Sequence, residues 1–349
     1  MSDPENFLLK KDLHKPNNGK EHSDAQSHNN RGVLLHMEGE VTRAEEEYRH
    51  ALEKDPENVT ALNNLGFLFA QQGEYQKAID FYQKALRIAP NRSMAHTNLG
   101  NGLAALGQYE AGVESLQRAV ECDRDNLTAW ENLGKLEMIR GNLKQAEQAW
   151  REAVTLAPTQ ARVYTSLGTV VAAQQRFEEA VNLLQRAIQL DRKSGKAWAQ
   201  LGIVLFLRQD LGSSVDALRQ ALAFTPEDTG ARHHLAMALM AKGGKAAARQ
   251  ELERVLVIEP EHGLAGLDLS ILDLSAGDFT QALERLSELE EREPDNPRIL
   301  YYKAMALDQL NQQGRAKQIF QRLAAEFQGK YARQAQAYLQ HTMNQDPGA

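Results

Sequence analysis

The sequence predicts an all-α protein, a solenoid of tandem helix-turn-helix repeats. Three observations predict it. The strings Asn64-Leu65-Gly66, Asn98-Leu99-Gly100 and Asn132-Leu133-Gly134 recur every 34 residues. Ser166-Leu167-Gly168 and Gln200-Leu201-Gly202 hold the same phase, and Leu235-Ala236 and Leu269-Ser270 continue it in weaker form. The chain is also rich in helix formers and only 6% aromatic, which disfavours strands. Finally, glycine and proline recur at constant places in each unit, as helix ends require.

Nine units of equal length fit end to end, starting at residues 25, 59, 93, 127, 161, 195, 229, 263 and 297. Position 8 of the unit is small throughout: Gly32, Gly66, Gly100, Gly134, Gly168, Gly202, Ala236, Ser270 and Ala304. So is position 20, from Ala44 and Ala78 through Gly112 to Ala316. Small side chains let antiparallel helices approach to about 8 Å. At position 15, Gly39, Gly73, Gly107, Gly141, Gly243 and Gly277 predict a left-handed end to the first helix. Gln175, Gln209 and Asn311 stand there in the other units and leave those turns less certain. Position 32 carries Pro56, Pro90, Pro158, Pro226, Pro260 and Pro294, which stop the second helix; Arg124, Arg192 and Gln328 predict softer breaks.

One such unit cannot bury its apolar face alone, so neighbours stack and the end units need altered outer faces. His28 and Arg31 in the first unit and Lys303 in the last occupy consensus apolar slots, as ends should. Tyr331, Ala335, Tyr338, Leu339 and Met343 form a helical apolar stripe that predicts a capping helix over 331–343. Residues 1–24 are polar and are expected to be disordered, as is the tail 344–349. Trp130, Trp150 and Trp198 fall on apolar slots and read as packing residues. Cys122, the single cysteine, reads as a small buried apolar group.

Over residues 25–330 this pattern resembles the tetratricopeptide repeat family. The resemblance implies a right-handed superhelical α-solenoid whose first helices line a concave groove. It also implies a protein or peptide partner and no cofactor. Positions 2, 5, 6, 9, 12 and 13 would then face or flank that groove.

Those positions divide the chain in two. Asn64, Asn98 and Asn132 stand at position 6. An asparagine amide offers a donor and an acceptor, enough to pair with one residue of an extended peptide. With repeats about 10 Å apart and a peptide rise of about 3.3 Å, each amide would meet roughly every third peptide residue. Over three repeats the row resembles the asparagine ladder in the repeat domain of O-linked N-acetylglucosamine transferase. Asn101, Lys135, Arg162 and Lys196 lie nearby and loosely resemble the carboxylate clamp of chaperone-binding family members. Thr97 replaces that clamp's first lysine, and Glu131 adds a negative charge. Farther along, Ile203, Phe206, Leu207, Met237, Met240, Leu264, Ile271, Leu274 and Met305 make an apolar row suited to a partner helix or hydrophobic motif.

Other chemistry is not signalled. A net charge of -7 argues against nucleic acid. No stretch reaches a membrane-spanning length, and the short run Phe7-Leu8-Leu9 is no secretory signal, so a cytoplasmic protein is expected. Lys242-Gly243-Gly244-Lys245 lacks the spacing of a phosphate loop. His233 and His234 point about 100° apart on a helix and do not make a metal pair. No metal site and no catalytic residues are expected. The function expected is a non-catalytic scaffold or adaptor. Self-assembly into a homo-oligomer, or service as an accessory subunit targeting a separate enzyme, is the alternative.

Overall fold

A computed structural model describes residues 20–345 in backbone and 24–341 in side chains. The described residues form nineteen helices and no strand. They fall into two compact units, residues 1–190 and 191–349. In the first unit the helices pair as α1 (Lys20–Met37) with α2 (Val41–Lys54), α3 (Val59–Gln71) with α4 (Tyr75–Ile88), and α5 (Ser93–Ala105) with α6 (Tyr109–Cys122). The pairs α7 (Leu127–Ile139) with α8 (Leu143–Leu156) and α9 (Ala161–Ala173) with α10 (Phe177–Leu190) complete it. The second unit holds α11 (Gly195–Leu207) with α12 (Leu211–Phe224) and α13 (Thr229–Ala241) with α14 (Lys245–Ile258). It continues with α15 (Gly263–Ala276), α16 (Phe279–Arg292), α17 (Pro297–Gln309), α18 (Gln313–Glu326) and a final helix, α19 (Lys330–Gln345).

Each unit is therefore an all-α helical-repeat solenoid, and the 34-residue register matches the helix pairs. Helix α1 starts at Lys20, inside the stretch expected to be disordered; residues 1–19 and 346–349 lie outside the described residues. Helix α19 covers the span of the expected cap. Its Ala335, Tyr338 and Leu339 close over Leu307, Phe320 and Leu323.

Packing within a pair explains position 8. The glycine there lies against position 24 of the second helix. A methyl group on Gly202 would sit 2.5 Å from Leu218, on Gly134 2.6 Å from the Trp150 indole, and on Gly32 2.6 Å from Tyr48. Such distances are unattainable, so glycine is what lets a large side chain fill the space between the helices.

The turns are uniform. The nine position-15 residues all have positive φ, including Gln175 at 64°, Gln209 at 68° and Asn311 at 61°. The same two hydrogen bonds close each Schellman turn. At Gln209 they run from its N–H to Phe206 O at 2.9 Å and from Asp210 N–H to Leu205 O at 2.9 Å. The turns without glycine thus have the geometry of the turns with it, at the cost of holding a side chain in the left-handed region. Junctions lacking proline are also sharp: α6 ends at Cys122, α10 at Leu190 and α18 at Glu326.

Position 4 helps close these junctions. The indole N–H of Trp130 donates to Arg124 O at 2.8 Å, and that of Trp198 to Arg192 O at 3.0 Å. Those carbonyls belong to two of the residues that replace proline at position 32. His96 bonds Pro90 O and Arg232 donates to Pro226 O in the same way. Trp130 and Trp198 also pack against the core, and Trp150 is buried, as packing residues should be.

Cys122 corrects one expectation. It is exposed, not buried. The buried stripe of α6 runs through Leu116, Ala119 and Val120, and its continuation falls beyond the end of the helix. Cys122 is off that stripe.

Candidate interaction surfaces

The face formed by the first helices is tied together by hydrogen bonds that cross from one repeat to the next. In the first unit Asn64 Nδ2 donates to Asn29 Oδ1 at 3.0 Å, and Asn98 Nδ2 donates to Asn63 Oδ1 at 3.0 Å. Each joins position 6 of one repeat to position 5 of the repeat before, 35 residues earlier. One helix and the next present these two positions to each other, so an amide at both can close the bond. Asn132 departs from the row because its position-5 neighbour is Thr97, whose hydroxyl donates to Ser93 O and accepts from Asn126. Asn132 instead accepts from Lys135 Nζ at 3.3 Å.

The three asparagines are therefore not equivalent. Asn64 is buried, while Asn98 and Asn132 are half-buried. Asn64 and Asn98 each use one amide N–H inside the array, and each amide carries a second N–H. Asn101, Lys135 and Arg162 are exposed beside them. Arg162 forms a close ion pair with Glu131, which is itself buried at 6% exposure. The clamp-like cation is thus committed to a carboxylate of the preceding repeat. Lys196 is exposed on α11 of the second unit.

The second unit has its own inter-repeat links. His233 Nε2 meets Asp268 Oδ2 at 2.9 Å, and Arg298 Nη2 donates to Asp268 Oδ1 at 2.7 Å. His233 is buried, and its ring lies 5.2 Å from that of His262. Burial, then the adjacent His233, hold the His234 imidazole below its ordinary pKa. Asp273, wholly buried, takes Arg249 at 2.5 Å and Arg285 on its other oxygen. Asn29, Asn63 and Asp268 are first-helix-face residues that sequence reasoning missed. The signal was present as polar residues recurring 35 apart, one more than the repeat length.

Of the apolar row, Leu207 is 49% exposed and Leu264 57% exposed. Ile203, Phe206, Met237, Met240, Ile271, Leu274 and Met305 are half-buried. Phe206 and Met240 pack on the core around Leu235 and Leu269; Ile271 and Leu274 pack on Leu267 and Leu286. Met305 packs on the last core cluster. The row is thus the outer edge of the core, with two side chains projecting from it. Lys242 to Gly244 form the turn between α13 and α14, and Lys245 begins α14. No helix among the described residues is long and apolar enough to cross a membrane.

Comparison with known proteins follows this architecture. Residues 8–267 match the model of the cilia and flagella-associated protein 70 C-terminal domain, a tetratricopeptide repeat domain. Residues 273–339 match a tetratricopeptide repeat model. No curated protein matches the chain in sequence. Among solved structures, a chain of the APC/C Cut9–Hcn1 hetero-tetramer is similar at 17% identity and a TM-score of 0.59, over 86% of this chain. This chain spans 58% of the length of that one. A tetratricopeptide repeat protein from Parabacteroides merdae aligns at 17% identity and a TM-score of 0.60, covering 71% of this chain and 98% of its own. PilF of Pseudomonas aeruginosa aligns at 18% identity and 0.56, covering 63% and 100%. These likenesses concern the fold. Repeat register, helix pairing and the matched models together make the chain a member of the tetratricopeptide repeat family.

Proposed function

We propose that the protein is a non-catalytic scaffold or adaptor that holds an extended segment of a partner protein against the first-helix face of its repeats. The observation that carries this reading is the bracing of that face. Asn64 and Asn98 are each held by a 3.0 Å hydrogen bond to the preceding repeat, beside exposed Asn101 and Lys135. A polar surface fixed in advance loses little freedom when it binds. Asn98, Asn132, Asn101 and Lys135 are the groups placed to meet a peptide backbone, with Asn64 in a supporting role. The apolar row of the second unit, led by Leu207 and Leu264, would receive hydrophobic side chains of the same partner or another.

The test compares partners recovered from the native cell by the wild-type chain and by Asn132→Ala combined with Asn101→Ala. Neither residue bonds another repeat, so folding should be untouched and the recovered set should shrink. An unchanged set would end the reading of this face. Light scattering addresses self-assembly: a monomer at every concentration leaves the scaffold reading in place.

A further inference from the structure

We propose that His28, Glu47 and His50 form a binding site for a divalent transition-metal ion, with Zn2+ as the cation their donors suit. His28 lies on α1; Glu47 and His50 lie one turn apart on α2. One ligand atom from each falls within 4.8 Å of the other two. His28 Nδ1 is 2.7 Å from Glu47 Oε2, and the two imidazole rings are 5.5 Å apart. Two imidazoles and a carboxylate are a three-ligand set that zinc accepts, leaving one position for water or a further ligand.

Comparison within the chain sharpens the case. His28, Glu47 and His50 occupy positions 4, 23 and 26 of the first repeat. In the seventh repeat those positions hold Arg232, Glu251 and Arg254, which form ion pairs at 2.7 and 3.0 Å. The fold therefore brings these three positions together, and there it answers a carboxylate with two permanent cations. The first repeat has two imidazoles instead, whose neutral forms offer lone pairs to a metal. His28 is also released from the duty of its counterparts. His96 and Arg232 bond a carbonyl at the preceding position 32, whereas the equivalent residue 22 is already inside α1. Arg31 Nε, 3.5 Å from Glu47 Oε1, leaves Oε2 to face the histidines. Such outer contacts commonly orient a ligating carboxylate. A metal here would clip α1 to α2 in the first repeat.

The test uses the full chain without a histidine tag, stripped of metal. Zn2+ is titrated calorimetrically, and Co2+ is titrated while visible absorption is recorded. The expected result is one tight equivalent, Co2+ ligand-field bands, and a thermal midpoint that rises with Zn2+. His50→Gln and His28→Gln should each weaken binding by about tenfold or more and abolish the bands. His50 is exposed, so His50→Gln should leave the metal-free midpoint unchanged. Unchanged affinity in both variants, or no stoichiometric equivalent in the wild type, would overturn the proposal.

Discussion

Gly202 and Gly212 are ten residues apart and illustrate opposite demands on one residue type. Replacing Gly202 with alanine drives a methyl group to 2.5 Å from Leu218. Overpacking of this kind should cost about 1–3 kcal/mol in urea unfolding. Gly212→Ala meets nothing within 4 Å and should stabilise by about 0.4–1 kcal/mol, since it restricts only the unfolded chain. A destabilised G212A would contradict this account of the helix pair. Glu147 supplies a second residue-scale case. Its partial burial opposes ionisation, but hydrogen bonds from Arg176, Arg151 and Gln174 outweigh that and draw its carboxyl down to about 2. The folded pKa is depressed, so the stabilisation is complete above the unfolded value near 4.5 and is lost as pH falls towards 2. Glu147→Gln should therefore lower stability by about 1–2 kcal/mol at neutral pH. Its deficit should shrink across that acid window, as thermal melts at stepped pH would show.

At the scale of the helix and its turn, the three left-handed residues without glycine are local strain that the stack tolerates. Gln209→Gly should stabilise by up to about 1 kcal/mol, because the left-handed penalty of an L-residue exceeds the entropy cost of glycine. The reciprocal Gly243→Gln should destabilise by a similar amount. A stability order opposite to this would mean that contacts of the Gln209 side chain outweigh its backbone. The helix ends were legible in the sequence for a simple reason. Proline and glycine act on the backbone of their own residue, without help from distant contacts. The sharp breaks at Arg124 and Arg192 were not legible, because there the closing bond comes from a tryptophan six residues on.

On the scale of the whole molecule, the repeats within each unit depend on neighbours that cover one another's apolar faces. Helix α19 ends the second unit by lying over Leu307, Phe320 and Leu323. Truncation before Lys330 should cost about 2 kcal/mol or more, since even one large apolar side chain returned to water costs about that. The readout is the unfolding midpoint together with light scattering, where the shortened chain should also self-associate through the uncovered face. An unchanged midpoint would show that α19 is not a cap. At this scale the candidate surface was partly legible: the residues on the first-helix face follow from the register. Which of them are spent in holding that face together does not.

Periodicity by itself determined that this chain is built of helical pairs, where the helices marked by glycine or proline end, and which faces pack. These are local matters of backbone preference and of a stripe repeating every 34 residues. Only the tertiary structure decided the state of the side chains on the open face. It tied Asn64 to Asn29, Asn98 to Asn63 and Arg162 to Glu131, and it gathered His28, Glu47 and His50. The reason is physical. A hydrogen bond or a ligand cluster needs atoms within about 3–5 Å. Residues 19 to 35 apart in sequence reach such distances only once the helices have packed.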